Sequence, residues 1–501
     1  MHFRQFCIAG TAAVFTLLIP LKTFLDPYNR FLGFWDSADA LSFVLAILGL
    51  TLLYRGLYGL ACLLRVERLA AALAVALAAG MTARVAGMAF LSWKMESMRL
   101  LLPPAVGLLA GGLAWWLPRV RQAFATLGLI LSPLVVILCY QFLTFKTFTA
   151  GDPNLPHSAA FPARNATPVY VLIFDAWSYD HTFENRRVSD RLPRLQALAR
   201  QSYVFHHAIS ADKDTDFSIP KFLLQTEKEL HYREGGHYLA DESGTTAAAS
   251  HDSLFRLAAR NGYNTRLLGF YVNYPEIFRD QIHHTILFPH DYKPASLAER
   301  TARVYLQAFG ELLLPLKHWK LVSAESPLLA HERYDKAAYS EHWKELTHHL
   351  VRALLDALAL PEKNLFLVAH LPIPHAPFVF NADGSYRGPF QGERMAYDEE
   401  GYARHLQYLD RVLGQFIDTL KECGTYDDAA LIVTSDHMWK EYRPGYRKAR
   451  KRHVPLFIKL PGQNDEVDIG HPVNLTRLAP VIDALMKGQD AHGPVQQLGA
   501  E

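Results

Sequence analysis

Val169-Tyr-Val-Leu-Ile-Phe174, with Asp175 directly after it, is an unbroken apolar run rich in β-branched and aromatic residues. It lacks the alternation of a half-exposed strand, so it reads as a strand buried on both faces, the kind found in parallel sheets covered by helices. The chain from Pro168 onward keeps to that pattern. Helical spacing over Leu192–Gln201, 252–260, Tyr339–Leu358 and Tyr402–Glu422 alternates with strand-like runs at Thr265–Phe270, Asn364–Ala369, Ala429–Thr434 and Val454–Lys459. A last helix is predicted over Leu475–Met486. The reading is an α/β fold, a mostly parallel sheet flanked by helices. In such folds ligands gather at the carboxyl ends of the strands.

Three of the buried runs end in metal-ligand residue types. The first ends in Asp175. The second runs into His370 and then Pro374-His375-Ala-Pro377. The third ends in Ser435-Asp436-His437. Carboxylates with neutral imidazoles suit Zn²⁺ or Mn²⁺ better than Ca²⁺. One Asp at a strand end is more often a turn or a cap, and convergence on one sheet edge is what favours a metal site. A further element is Asp214-Thr-Asp-Phe-Ser-Ile-Pro220. Pro220 is suited to open a helix, and a hydroxyl just ahead of it would face backbone donors and the positive dipole end. A hydroxyl is a poor nucleophile until a base or a metal activates it. A metal held by Asp175, Asp436 and His437 would lower the pKa of the Thr215 hydroxyl. The competing reading is that Thr215 or Ser218 merely caps the helix.

The first 150 or so residues are of another kind, dominated by Leu, Ala, Val, Phe and Gly. A bilayer-spanning helix needs about 20 mostly apolar residues. Five spans are predicted, at Phe6–Leu21, Ala40–Leu64, Leu69–Leu91, Leu100–Leu117 and Phe124–Phe145. Arg4, Arg65, Arg68, Arg119 and Arg121 then fall on one side, against Lys22, Arg30, Lys94 and Arg99 on the other. The closeness of Arg65, Arg68, Arg119 and Arg121 to span ends favours their side as cytoplasmic, which places everything after Lys146 outside. The predicted division is residues 1–146 for a transmembrane helical domain, 147–167 for a linker, and 168–501 for a catalytic domain. Lys plus Arg number 51 against 49 Asp plus Glu, a net charge of +2, and no zinc-finger or basic-helix pattern is present, so no nucleic-acid partner is expected. Of four cysteines, only Cys423 lies beyond the apolar segment, so no disulfide framework holds the catalytic domain.

The order of these motifs resembles the alkaline phosphatase–sulfatase superfamily. An Asp ends the first strand, Thr-x-x-Ser-Ile-Pro follows about forty residues later, Pro-His-x-Pro follows a middle strand, and Ser-Asp-His a late one. The resemblance covers about residues 168–486. Five spans ahead of such a domain look like lipoteichoic acid synthases and lipid A phosphoethanolamine transferases. Carried over, the resemblance implies that Asp175, Thr215, Asp436 and His437 hold the catalytic metal, Zn or Mn, and that Thr215 is covalently modified. His375 matches a histidine that binds substrate or a second metal, and His453 is its candidate partner. The chain departs from those transferases in three ways: the spacing of His453 from His437 differs, Asp175 stands where they have Glu, and no cysteines flank Thr215. Sulfatases proper carry Cys/Ser-x-Pro-x-Arg for conversion to formylglycine, and the soluble domain has no such motif. The chemistry implied is therefore phosphate transfer.

The resemblance further implies a multi-pass protein of the bacterial inner membrane with its catalytic domain on the periplasmic, extracytoplasmic side. The expected donor is a membrane phospholipid and the acceptor a glycan or lipid. Hydrolysis of a phospho- or sulfoester by the same site, and a non-catalytic membrane scaffold, are the rival readings. A basic run between His437 and His453, including Arg447, Lys448 and Arg450, is a candidate anion-binding loop, with a solvated loop as the plainer alternative.

Overall fold

The computed structural model describes residues 2–25, 36–90, 96–144, 160–162, 164–233, 236–242, 244–278, 281–289, 296–318, 330–359, 363–390, 398–439 and 452–499. The basic run with Arg447, Lys448 and Arg450 lies outside them. The chain divides into two compact units: residues 1–30, 34–148 and 293–334, and residues 31–33, 149–292 and 335–501. Residues 293–334 fall in the first unit.

That first unit is helical. Five spans were expected; among the described residues three helices are long and apolar enough to cross a membrane, within Ser37–Leu63, Glu67–Gly87 and Pro118–Leu143. The first expected span is broken into His2–Thr16 and Leu18–Leu25. Pro20 explains the break, because it has no N–H to return to the carbonyl of Thr16. In the fourth, the apolar stretch Leu100–Trp116 is shorter than a span. Glu67–Phe90 and Glu96–Trp116 pack through small residues: a Cβ on Gly107 would meet the Ala76 carbonyl oxygen at 2.8 Å, and one on Gly111 the Ala76 Cβ at 2.8 Å. Close backbone approach of this kind is how helices associate where no water drives them together. The helix Leu297–His318 belongs to this unit. Arg300 ties it to the start of Ser37–Leu63, its Nη1 lying 2.7 Å from Asp36 Oδ1 and 2.9 Å from Asp39 Oδ1.

The second unit is built on a nine-stranded sheet. In chain order its strands are β1 Val169–Phe174, β2 Tyr203–Ile209, β3 Asn264–Phe270, β4 His284–Phe288, β5 Leu365–Leu371, β6 Ala430–Thr434, β7 His453–Lys459, β8 Val467–Ile469 and β9 Val473–Asn474. Their order across the sheet is β8-β2-β7-β6-β1-β5-β3-β4, with β9 also on β2. β1 pairs in parallel with β5 and with β6, and β3 continues the parallel set to β4. β7 alone runs against its neighbours β6 and β2. The mostly parallel sheet read from the apolar runs is therefore present, with β1 at its centre and every residue of β1 buried.

Tyr170, Leu172 and Phe174 point to one face of β1, where Trp343, Leu346, Leu350 and Leu354 of Ala330–Leu358 and Leu409, Val412, Leu413 and Phe416 of Glu399–Glu422 complete the core. These positions recur every three or four residues, the apolar stripe that a helix needs to lie on a sheet. The helix Ala479–Met486 packs against β1 and against Leu254–Arg260. Helix Pro193–Ala199 has no capping side chain of its own; buried Asp410 supplies one from Glu399–Glu422, accepting from Leu195 N at 2.7 Å and Arg194 N at 3.2 Å. Asp410→Ala is expected to cost about 1–2 kcal/mol, the loss of a good cap, read as a lower midpoint in chemical unfolding.

A candidate metal centre at the strand ends

Because β5, β1 and β6 are adjacent and parallel, their carboxyl ends lie side by side. His370 is register partner of Ile173, and the Asp175 N–H extends the ladder by donating to the Leu371 carbonyl at 3.0 Å. Asp436 and His437 follow two and three residues after β6 ends. Asp175, His370 and Asp436, all buried, place donor atoms within 4.8 Å of one another.

Backbone and hydroxyl contacts fix these side chains. After Asp175 the chain turns sharply at Ala176, with φ of 61°. The Ala176 N–H donates to Asp436 Oδ1 at 3.2 Å, and His437 N donates to the same oxygen at 2.8 Å. Ser435 Oγ receives the Trp177 N–H at 2.9 Å. Tyr402 closes the loop, its hydroxyl donating to the Ala176 carbonyl and accepting from Ser178 N, both at 2.9 Å. Asp436 thus spends one oxygen on the backbone, while Oδ2 has no hydrogen bond, and neither has His370 Nε2. Burial alone would push the Asp436 pKa up, but the His437 and His370 imidazoles and its hydrogen bonds hold it below the ordinary carboxylate value. His370 is pushed down to about 4 by burial, so it is a neutral imidazole.

Thr215 comes from a separate element. It is the first residue of the helix Thr215–Leu223, with Asp214 at the cap position. The helix thus opens five residues before Pro220, where it was expected to begin, and Pro220 sits inside it. The reason is distant in sequence: the Asp216 carbonyl, which Pro220 cannot serve, accepts from the Tyr232 hydroxyl at 2.5 Å. The Thr215 hydroxyl lies 3.1 Å from His437 Nε2. His437 Nδ1 is 2.8 Å from the Met438 carbonyl, which only accepts, so Nδ1 carries a proton and Nε2 is the nitrogen that faces Thr215. The same Nε2 is 3.5 Å from Asp175 Oδ1 and 3.6 Å from Asp436 Oδ2. Asp175, Thr215, Asp436 and His437 are therefore brought together, and His370 joins them. The strand pattern had put His370 at this edge, yet the family likeness did not include it in the ligand set.

His375 lies beside the group, its ring centroid 6.5 Å from that of His437 and 5.6 Å from Trp343, with Nδ1 bonded to the Ala376 carbonyl. His453 opens β7 and is held differently: Nε2 bonds the His206 carbonyl at 2.8 Å and the ring stacks on Tyr179 at 4.1 Å. The donor set of two carboxylates, two imidazoles and a hydroxyl, with buried donor atoms that the protein itself does not bond, fits a divalent transition cation.

The sulfatase family model matches residues 168–488. Among curated proteins, the chain is 29% identical over 109 residues to lipoteichoic acid synthase 1 of Bacillus subtilis (strain 168), a match of 19% of this chain and 16% of that protein. It is 26% identical over 110 residues to lipoteichoic acid synthase of Staphylococcus saprophyticus subsp. saprophyticus, with the same shares. The match therefore spans about a sixth of the length of these relatives. Among solved structures, phosphonate monoester hydrolase of Agrobacterium radiobacter aligns at 17% identity and a TM-score of 0.40, over 64% of this chain and 74% of that one. PsFucS1 sulfatase from Pseudoalteromonas sp. aligns at 12% and 0.43, over 65% and 69%.

Proposed function

From the premise that this chain belongs to the sulfatase family, and is a sulfatase-like enzyme of the alkaline phosphatase superfamily, we propose that it moves a phospho head group from a membrane phospholipid to an extracytoplasmic glycan or lipid, through a covalent bond to Thr215. The observation that carries this reading is the Thr215 hydroxyl on His437 Nε2 at 3.1 Å, at the start of a helix and beside two buried carboxylates. Asp175, Asp436, His437 and Thr215 would hold a divalent cation, Zn²⁺ or Mn²⁺. That cation would lower the pKa of the Thr215 hydroxyl and offset charge building on the phosphoryl oxygens.

The protein's own part is positioning. The N-terminal end of Thr215–Leu223 favours a phosphate. The Thr215 hydroxyl gives its proton to solvent, Oγ1 forms the new bond to phosphorus, and the bond from phosphorus to the diacylglycerol oxygen breaks; on release Oγ1 takes a proton back from solvent. His375 gives a proton to that leaving oxygen, and in the second half it takes one from the acceptor hydroxyl that releases Thr215. An anchor in the cytoplasmic membrane, with this domain on its outer side, holds the site near its donor and replaces a bulk search by a high local concentration. Arg447, Lys448 and Arg450 supply positive charge to an anionic head group in this reading.

Incubation with vesicles of phosphatidylglycerol or phosphatidylethanolamine, with and without glycan acceptors, tests the proposal. Diacylglycerol release together with a head-group phosphate adduct on Thr215 in the mass spectrum is the expected result. Release of free head-group phosphate at the same rate without acceptor makes the enzyme a hydrolase. Absence of any adduct or turnover removes the assignment. His375→Gln is expected to slow turnover by about 100-fold with metal content unchanged, as loss of one general acid does.

A further inference from the structure

One residue of this edge lies outside the ligand set that the family likeness implies. His370 is fully buried, its Nε2 has no hydrogen bond, and it shares with Asp175 and Asp436 a space in which their donor atoms lie within 4.8 Å of one another. We infer that His370 Nε2 is a further direct ligand of the cation, aimed by Tyr274 and Phe270. The inference rests on the reading of this cluster as a divalent-metal centre.

Two roles are open to an imidazole at such a place. An outer one would have it donate to a ligating carboxylate and orient it. That needs a hydrogen bond, and His370 Nε2 stands 3.9 Å from Asp175 Oδ2, beyond hydrogen-bond reach. The inner role fits the distance. Two donors that each sit about 2.0–2.2 Å from one cation are separated by roughly 3–4 Å. The other ring nitrogen is already committed: Nδ1 is 2.8 Å from the Tyr274 hydroxyl. With the Nδ1 proton directed to that oxygen, Nε2 keeps its lone pair for the cluster. The ring is clamped as well, stacked on Phe270 with centroids 4.5 Å apart and planes 25° from parallel. Room for the Tyr274 ring comes from Gly269, where a Cβ would stand 2.8 Å from Cε2. A buried imidazole with one nitrogen braced and the other bare, facing two carboxylates, has the form of a metal ligand with its outer-sphere support.

The test counts nitrogens, independently of turnover. The full-length protein in detergent is loaded with Mn²⁺ and examined by pulsed electron paramagnetic resonance for directly bound imidazoles. Two are expected, from His370 and His437. His370→Gln should leave one and weaken Mn²⁺ binding by about 10- to 100-fold. Tyr274→Phe should keep both and weaken binding by about tenfold, because it removes the outer support alone. A single imidazole in the unmodified protein, or an unchanged count in His370→Gln, overturns the inference; the unmodified protein decides by itself if the variant does not fold. Failure of the unmodified protein to take up Mn²⁺ removes the metal reading, and this inference with it. One imidazole with Mn²⁺ bound removes this inference alone.

Discussion

Thr215→Ala is expected to lower head-group transfer by about 1,000-fold or more and to abolish the covalent adduct, while the folded state survives. The helix is not fastened by the hydroxyl. Asp214, not Thr215, occupies the cap position, and the helix is fastened further along, where Ser218 Oγ donates to the Asp436 carbonyl at 2.5 Å and Tyr232 serves the Asp216 carbonyl. Ala is also a better helix former than Thr. Loss of turnover without loss of stability is thus the signature of a nucleophile, and a cap would give the reverse. Thr215→Ser keeps an oxygen in reach of His437 Nε2 and should retain activity within about tenfold. Full activity in the Ala variant would end the assignment. The measurement is a paired one, initial rates on vesicles and unfolding midpoints on the same preparations.

Asp436→Asn should have the second large effect, a loss of divalent-metal affinity of about 100-fold or more, with turnover falling alongside. The substitution is nearly isosteric and separates two functions of one side chain. Its carbonyl oxygen still accepts from Ala176 N and His437 N, as Oδ1 does now. The other position becomes an NH₂ group directed at Asp175 and His370, where a negative oxygen stood. The ligand set loses one negative charge, and a cation there meets a donor in place of an acceptor. Metal content after dialysis, measured by elemental analysis, checks the effect. Undiminished metal in the Asn variant would show that Asp436 is not a ligand.

The sheet and its chemical edge were legible because they depend on continuous apolar runs. Val169–Phe174, Leu365–Leu371 and Ala430–Thr434 announce buried strands, and the polar residue that ends each run stands at the same edge once the strands are parallel. What escaped depends on contacts between distant segments. Tyr203–Ile209 carries His206 and His207, which hid a strand held by β7 and β8 on either side. The start of Thr215–Leu223 was set five residues late because Pro220 is a good opening residue in isolation, and only Tyr232 makes it tolerable inside. Leu297–His318 joins the helical unit through Arg300 on Asp36 and Asp39, an ion pair spanning more than 260 residues that no local pattern displays. The break at Leu17 likewise turns on Pro20, within a stretch whose composition alone reads as one span.

The position of β1 at the centre of the sheet carries a consequence in time. Val169 pairs with Phe366 on one side and with Ala430 on the other, so the first strand made waits roughly 200 residues for its first in-register neighbour in the sheet centre and still longer for its second. At a synthesis rate of about 5–20 residues per second, that is an interval of about 10–40 s. Throughout it, six consecutive apolar residues stand without the partners that later bury them, the condition in which nascent chains associate wrongly. A chain stopped before residue 437 has neither a closed sheet centre nor a complete site.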